Sequence, residues 1–242
     1  MSKPPLTLSG WLRLDVVERV LRGVDGCHSV LEVGAGEGAV GARLAVRYRY
    51  TGLEPDPAAC TTARSRVEPA GGTVLCGGLD ALESQASFDL VCAFEVLEHV
   101  EDDRAELLAW SELVRAGGWL MLTVPPFERR FGRADQAVGH FRRYDPDRLV
   151  ELVRAAGFAR PRAILYGFPF GHGLEGARNL LAWVAPSRGS MAERSAASGR
   201  RFQPNDRLGL LTQVVAVPMR LAQRPFVGRR LGSNLLVLAQ KL

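Results

Sequence analysis

Apolar positions along the chain follow two rhythms that take turns. Short continuous apolar runs at 29–33, 50–54, 73–76, 88–94, 119–124 and 161–168 predict buried strands. Between them apolar residues recur every three or four positions. Leu8, Trp11, Leu12, Leu14, Val17, Val20 and Leu21 mark a helix over 8–24. Further helices are expected at 37–48, at 57–67 with Pro57 in the first turn, and at 102–115, closed by Gly117-Gly118. Leu149, Leu152 and Val153 form one face of a helix at 145–156, closed by Gly157. Alternation of strand and helix predicts an α/β, doubly wound parallel sheet with right-handed crossovers.

After Pro125-Pro126 the texture changes. Residues 127–144 read as a loop rich in Arg and aromatics. Helix-like runs follow at 174–184 and 207–224, the second kinked or split at Pro218, around a polar stretch at 187–205. A last apolar run, 233–239, predicts a strand that returns to the sheet.

The chemistry concentrates where the first strand ends. Gly34, Gly36 and Gly38 follow Val33 at alternate positions, a turn that lets a ligand approach the main chain without meeting a Cβ. The order is G-x-G-x-G, not the G-x-G-x-x-G of a dinucleotide site, and Glu32 and Glu37 bracket it with negative charge. Carboxylates repel a phosphate but suit a cationic ligand. Glu54, ending the second strand, is placed to accept hydrogen bonds from ribose hydroxyls. An adenosine with a cationic amino-acid tail, S-adenosylmethionine (SAM), meets both requirements.

Four segments in order carry a family resemblance: Val30–Gly38, Gly52-Leu53-Glu54-Pro55-Asp56, Ser87–Val100 and Leu113–Pro125. Together they resemble the motifs of class I SAM-dependent methyltransferases, in the small-molecule branch that includes ubiquinone biosynthesis. The resemblance implies a Rossmann-like, seven-stranded, mostly parallel sheet whose last strand is antiparallel. Residues 1–168 would then form the SAM-binding core, 169–231 a helical cap inserted between strands six and seven, and 232–242 the final strand. It also implies a donor site built from Glu32, Gly34, Ala35, Gly36, Gly38, Glu54 and Pro55, bordered by Phe94 and Glu95. Glu32 would face the donor's ammonium or cap the glycine turn, and Phe94 would border the donor or belong to the core. Many relatives carry an acid directly after a glycine in strand three; here the run is Cys76-Gly77-Gly78-Leu79-Asp80. Either Asp80 reaches the adenine, or the Leu79 backbone does so and Asp80 caps a helical turn.

On the acceptor side, His140 lies in Gly139-His140-Phe141-Arg142-Arg143-Tyr144, a run able to accept a proton and clamp an anion. Its structural alternative is a loop that Arg and Tyr anchor against the sheet. His99, Arg143 and Tyr144 are the candidate acceptor contacts, with His172 a third histidine at the start of the cap. A base is dispensable if the acceptor is already ionised. No metal site is expected, the acids after strand four reading as a solvated helix start. The apolar cap residues Leu180, Leu181, Trp183, Leu210, Leu211, Val214 and Val215 are expected to enclose a small-molecule acceptor.

Charge adds one feature. Residues 169–242 hold 11 Lys+Arg against 3 Asp+Glu, a net +8, while residues 1–168 carry −3. A basic last third suits an anionic lipid surface, and methylation of a lipid acceptor at a membrane is the alternative function; otherwise the arginines keep an apolar segment soluble. With 29 Arg and 2 Lys, coding bias weakens any argument from arginine number alone. Nucleic acid is not expected as a substrate, because Phe94-Glu95-Val96-Leu97 stands where an amino-methylating enzyme carries Asn-Pro-Pro-Tyr. A SAM-binding regulator without catalysis is the alternative from another class. The opening Met1-Ser2-Lys3-Pro4-Pro5 has no apolar signal region, so a cytoplasmic location is expected. Cys27, Cys60, Cys76 and Cys92 lack metal spacing, and Cys76 and Cys92 read as small buried residues.

Overall fold

The computed structural model describes residues 4–184 and 206–242, so the polar stretch at 187–205 lies outside the described residues. Seven strands form one sheet in the order β3-β2-β1-β4-β5-β7-β6. They are β1 (Ser29–Val33), β2 (Arg49–Glu54), β3 (Thr73–Cys76), β4 (Phe88–Phe94), β5 (Val114–Val124), β6 (Phe158–Tyr166) and β7 (Asn234–Lys241). β1 to β5 run parallel, and β7 enters antiparallel between β5 and β6, with Leu122 opposite Val237 and Ile164 opposite Leu236. Strand order reverses between β1 and β4, and the crevice above their carboxyl ends is where open α/β sheets bind ligands.

Helices cover both faces. On one, α1 (Leu8–Leu21), α2 (Gly41–Leu44) and α3 (Pro57–Val67) pack Val16, Val17, Leu44, Cys60 and Val67 over Val30, Tyr50 and Leu90. On the other, α4 (Asp103–Glu112) and α6 (Pro146–Ala155) pack Leu107, Trp110, Leu149 and Val153 over Leu31, Val91 and Leu120. Between these last two helices lie a 3₁₀ turn at Glu128–Arg130 and the short α5 (Arg133–Val138). α7 (Phe170–Val184) and α8 (Asp206–Gln223) lie between β6 and β7 in the chain, where the sequence predicts the cap.

Several expectations are corrected. The helix predicted at 37–48 is the single turn α2, because the chain must leave the glycine turn and still re-enter the sheet at Arg49, opposite Ser29. Gly117-Gly118 does not close α4. The chain is already paired at Val114, opposite Phe88, and Gly117, at φ +74°, lies in a bulge before Trp119 meets Leu90. Pro218 does not split its segment into two elements; it sits exposed within one helix, α8, that runs from Asp206 to Gln223. Cys76 is exposed and joined to buried Cys60 by a disulfide, so it is not a buried thiol; Cys92 is buried as expected.

The junction of β1 and β4 has its own fastening. Asp89 Oδ2 accepts from the amides of His28 and Ser29 at 2.7 and 2.8 Å, and Oδ1 meets Arg115 at 2.6 Å. Burial works against the Asp89 charge, but those amides and Arg115 outweigh it and hold the carboxyl below its ordinary range. Asp89→Ala should cost about 1–3 kcal/mol at neutral pH, because the buried Ser29 amide and the part-buried His28 amide lose their acceptor. Denaturant unfolding measures this, and the cost should shrink as pH falls through and below the ordinary aspartate range, where the wild type loses the same charge.

Candidate active site

All the functional segments emerge at the carboxyl ends of the parallel strands. The glycine turn follows β1, and Gly34, Gly36 and Gly38 each have positive φ, at +72°, +56° and +74°. Their surroundings separate their roles. A methyl group on Gly34 would lie 2.6 Å from Cγ2 of Val96, in the segment after β4, whereas one on Gly36 would meet nothing within 4 Å. Gly36 therefore borders open space of the kind a ligand needs. A methyl on Gly38 would lie 2.9 Å from Cα of Ala63 on α3, so this glycine is required by close packing against that helix. Ala35 is buried, and its amide is spent on the Leu53 carbonyl at 2.8 Å.

Two buried carboxylates flank the turn. Glu54 accepts from the amide of Gly36 at 2.7 Å through Oε2 and from that of Asp56 at 2.9 Å through Oε1. A carboxylate can accept up to about four hydrogen bonds, so this fixed orientation is compatible with ribose hydroxyls as additional donors. Glu32 takes the Tyr50 hydroxyl at 2.7 Å. Burial raises its pKa to about 7 against the opposing pull of Tyr50 and of the Arg13 charge. Pro55 is exposed beside Glu54. Leu79 is half-buried and packs on the core, while Asp80 is exposed in the 3₁₀ turn Leu79–Ala81. Phe94 is buried in the core at the end of β4.

At Glu95 the backbone takes φ +60°, uncommon for a residue with a side chain and a form of strain that gathers at functional sites. Glu95 Oε1 and both carboxylate oxygens of Glu98 are buried without a hydrogen-bond partner. Glu98 is fully buried, which corrects its reading as part of a solvated helix start. Burial, with the Glu95 charge added, pushes its carboxyl well above the ordinary range. Arg13 of α1 is the nearby cation. Burial opposes its charge, but Glu95, Tyr166, Glu98 and Glu32 together keep the guanidinium above its ordinary range.

His140 lies in a cluster of ionisable side chains with Asp135, Glu98 and His99. Its Nδ1 lies 3.0 Å from Asp135 Oδ1, its Nε2 lies 3.8 Å from Glu98 Oε1, and its ring stands edge-on to His99 with centroids 4.6 Å apart. Burial would raise the Asp135 carboxyl, but bonds from His140 and Arg143 override it and hold it at about 2. Asp135 is thus a permanent anion that fixes one ring nitrogen. His99 is pushed down to about 3 by burial and by His140, so it stays neutral. Glu98, His99 and His140 each bring a ligand atom within 4.8 Å of the others, a spacing a divalent cation can use.

Arg143 and Tyr144 are corrected. Arg143 is buried, and its donors go to Asp135 and to Glu175 of α7. Tyr144 is buried too, its hydroxyl donating to Leu97 O and Asp103 Oδ2 at 3.2 and 3.1 Å. Arg142 pairs with Asp103 at 2.8 Å. These residues anchor the 127–144 segment, a strap, and the donors of Arg142 and Arg143 are engaged by protein carboxylates. His172 bonds Arg130 and the Leu231 carbonyl, each at 2.8 Å, and so tethers the start of α7. Sequence reasoning missed Arg13, Tyr50, Asp135 and Glu175. Arg13 left a trace, a cation interrupting the apolar pair Leu12 and Leu14, but Asp135 had none.

With that geometry in place, comparison with known proteins is informative. Residues 12–160 match the family model described as a methyltransferase domain, and the chain belongs to that family, within the class I SAM-dependent methyltransferases. The ubiquinone biosynthesis O-methyltransferase of Leptothrix cholodnii is 30% identical over 125 residues, which cover 49% of this chain and 53% of that protein. The chain spans about half the length of the curated relatives it matches. Across 97% of this chain and 92% of the other, the fold matches a possible histamine N-methyltransferase from Thermotoga maritima, with TM-score 0.60 and 19% identity. Phosphoethanolamine N-methyltransferase 2 of Haemonchus contortus, solved with SAM, also has TM-score 0.60 at 15% identity, over 98% of this chain and 53% of that one. SAM is the co-substrate of the family, and the open space at Gly36 between two buried carboxylates fits a cationic adenosine.

Gly36→Val should abolish SAM binding and Glu54→Ala should weaken it by about a hundredfold or more, the loss expected of two hydrogen bonds to a charged acceptor. Isothermal titration with SAM measures both. The Glu32 pKa near 7 sets a pH dependence. Neutral below that value and ionised above it, Glu32 should make affinity for the cationic donor rise as pH increases through about 7, and Glu32→Gln should flatten the curve.

Proposed function

We propose that this protein transfers the methyl group of SAM to a hydroxyl oxygen of a small-molecule acceptor, with His140 as the proton acceptor. When bound, SAM supplies the electrophilic methyl and a sulfide leaving group. The chain's residues would hold the donor through the main chain at Gly34 and Gly36 and through Glu54, with Glu32 toward its ammonium. One observation carries the acceptor-side reading: His140 is held at Nδ1 by Asp135, which leaves Nε2 toward Glu98 and away from its anchor. With the proton on Nδ1, Nε2 carries the lone pair that removes the acceptor's hydroxyl proton as its oxygen attacks. Asp135, fully ionised, then stabilises the imidazolium. Neutral His99 adds no competing charge next to that nitrogen.

The name of the Leptothrix relative supports oxygen as the acceptor atom. Incubation with isotopically labelled SAM and a metabolite extract, followed by mass spectrometry, identifies the product, and donor binding without any labelled product would favour the regulatory alternative. His140→Ala should lower turnover by about two to four orders of magnitude, the usual contribution of a general base, while donor affinity stays unchanged. Asp135→Asn should lower turnover and shift its pH profile, since the ring loses its anionic partner. Turnover unaffected by His140→Ala removes the residue from the mechanism. Loss of turnover on chelation, restored by a divalent cation, would recast Glu98, His99 and His140 as cation ligands.

A further inference from the structure

The cap residues expected to enclose the acceptor face outward. On α8, Leu210, Val214, Val217 and Leu221 recur at helical spacing, with exposures of 70%, 61%, 50% and 54%, and Leu211 and Val215 widen the stripe. The opposite side of the helix already has its partner in α1. Thr212 donates to the Leu6 carbonyl at 3.1 Å, Gln223 to that of Leu12 at 3.0 Å, and Ala216 and Met219 are buried. An outer helix face normally carries charge. Here it is the apolar side, so α8 is apolar where water should be. Toward the end of α7, Leu180, Leu181 and Trp183 are exposed as well, the tryptophan by 65%.

The cations near this stripe divide in two. Arg220 and Arg224 turn inward to Asp15. Arg229 and Arg230, in the turn after α8, are exposed and make no ion pair among the described residues, Arg229 lying over the Phe226 ring at 5.9 Å. Among the described residues no helix is long and apolar enough to cross a membrane. An apolar helix face followed directly in the chain by exposed arginines without ion pairs among the described residues matches a surface that lies in a lipid interface without spanning it.

We propose that the outer face of α8, with Arg229 and Arg230, docks on an anionic phospholipid bilayer. The basic last third supplies the charge complementarity, and the proposal holds whatever the acceptor. Flotation of the full chain with phosphatidylcholine vesicles, with and without phosphatidylglycerol, tests it. Binding is expected with the anionic vesicles and should fall as salt is raised. Arg229→Ser with Arg230→Ser should weaken it by roughly thirtyfold, about fivefold for each charge near the surface. Val214→Asp with Leu221→Asp should reduce it to the level of neutral vesicles. These positions are exposed, so both double variants should keep the wild-type melting temperature and SAM affinity. Equal partition of the folded variants and the wild type overturns the proposal. So does absence of binding to anionic vesicles, or a stable dimer in sedimentation that the Val214→Asp, Leu221→Asp variant dissolves, which would assign the face to a second copy.

Discussion

One carboxylate holds the donor side together. Glu54 ends β2, and its two oxygens take the amides of Gly36 and Asp56, so the tip of one strand fixes the turn that follows its neighbour. A glycine-rich turn at positive φ has much conformational freedom to lose, and a buried charged acceptor supplies the compensation. The β1–β2 register, with Val33 opposite Leu53, puts Glu54 level with that turn. The β1–β4 register brings Val96 against Gly34 from the other side. The crevice is therefore a product of strand alignment, and the side chains around it are secondary to that alignment.

The acceptor side is built on a different rule. Three segments meet there, and charge pairing connects them: Asp135 of α5, Arg143 of the strap and Glu175 of α7 form one buried chain, which Arg130 and His172 extend. Breaking such a chain at any member leaves a buried charge without its partner, which is costly. Saturation of the arginines also shapes chemistry. With Arg142 and Arg143 committed to protein carboxylates, this region presents a histidine pair beside the buried Glu98.

What could be read from residue order was whatever depends on local spacing. The boundaries of β1, α3, β3 and β4 follow from apolar runs and from Pro57, and Glu54 follows from its place at a strand end. Distances set by tertiary contact were not legible. Gly38 looks like Gly36 in the chain, yet one faces α3 and the other faces open space. Arg143 and Tyr144 look like ligands for a substrate until their buried partners, Glu175 and Asp103, are brought in from segments 32 and 41 residues away. The direction of the apolar residues on α8 was illegible for the same reason. Periodicity shows that a helix has an apolar face, and only packing against α1 shows that this face is turned away from the core.

The placement of α1 joins these regions. One side of this rod sends Arg13 among the carboxylates of the crevice, and the other gives Asp15 and the Leu12 carbonyl to α8. Leu12, Arg13 and Asp15 lie within about one helical turn, so a single stretch of α1 faces the buried carboxylates on one side and α8 on the other.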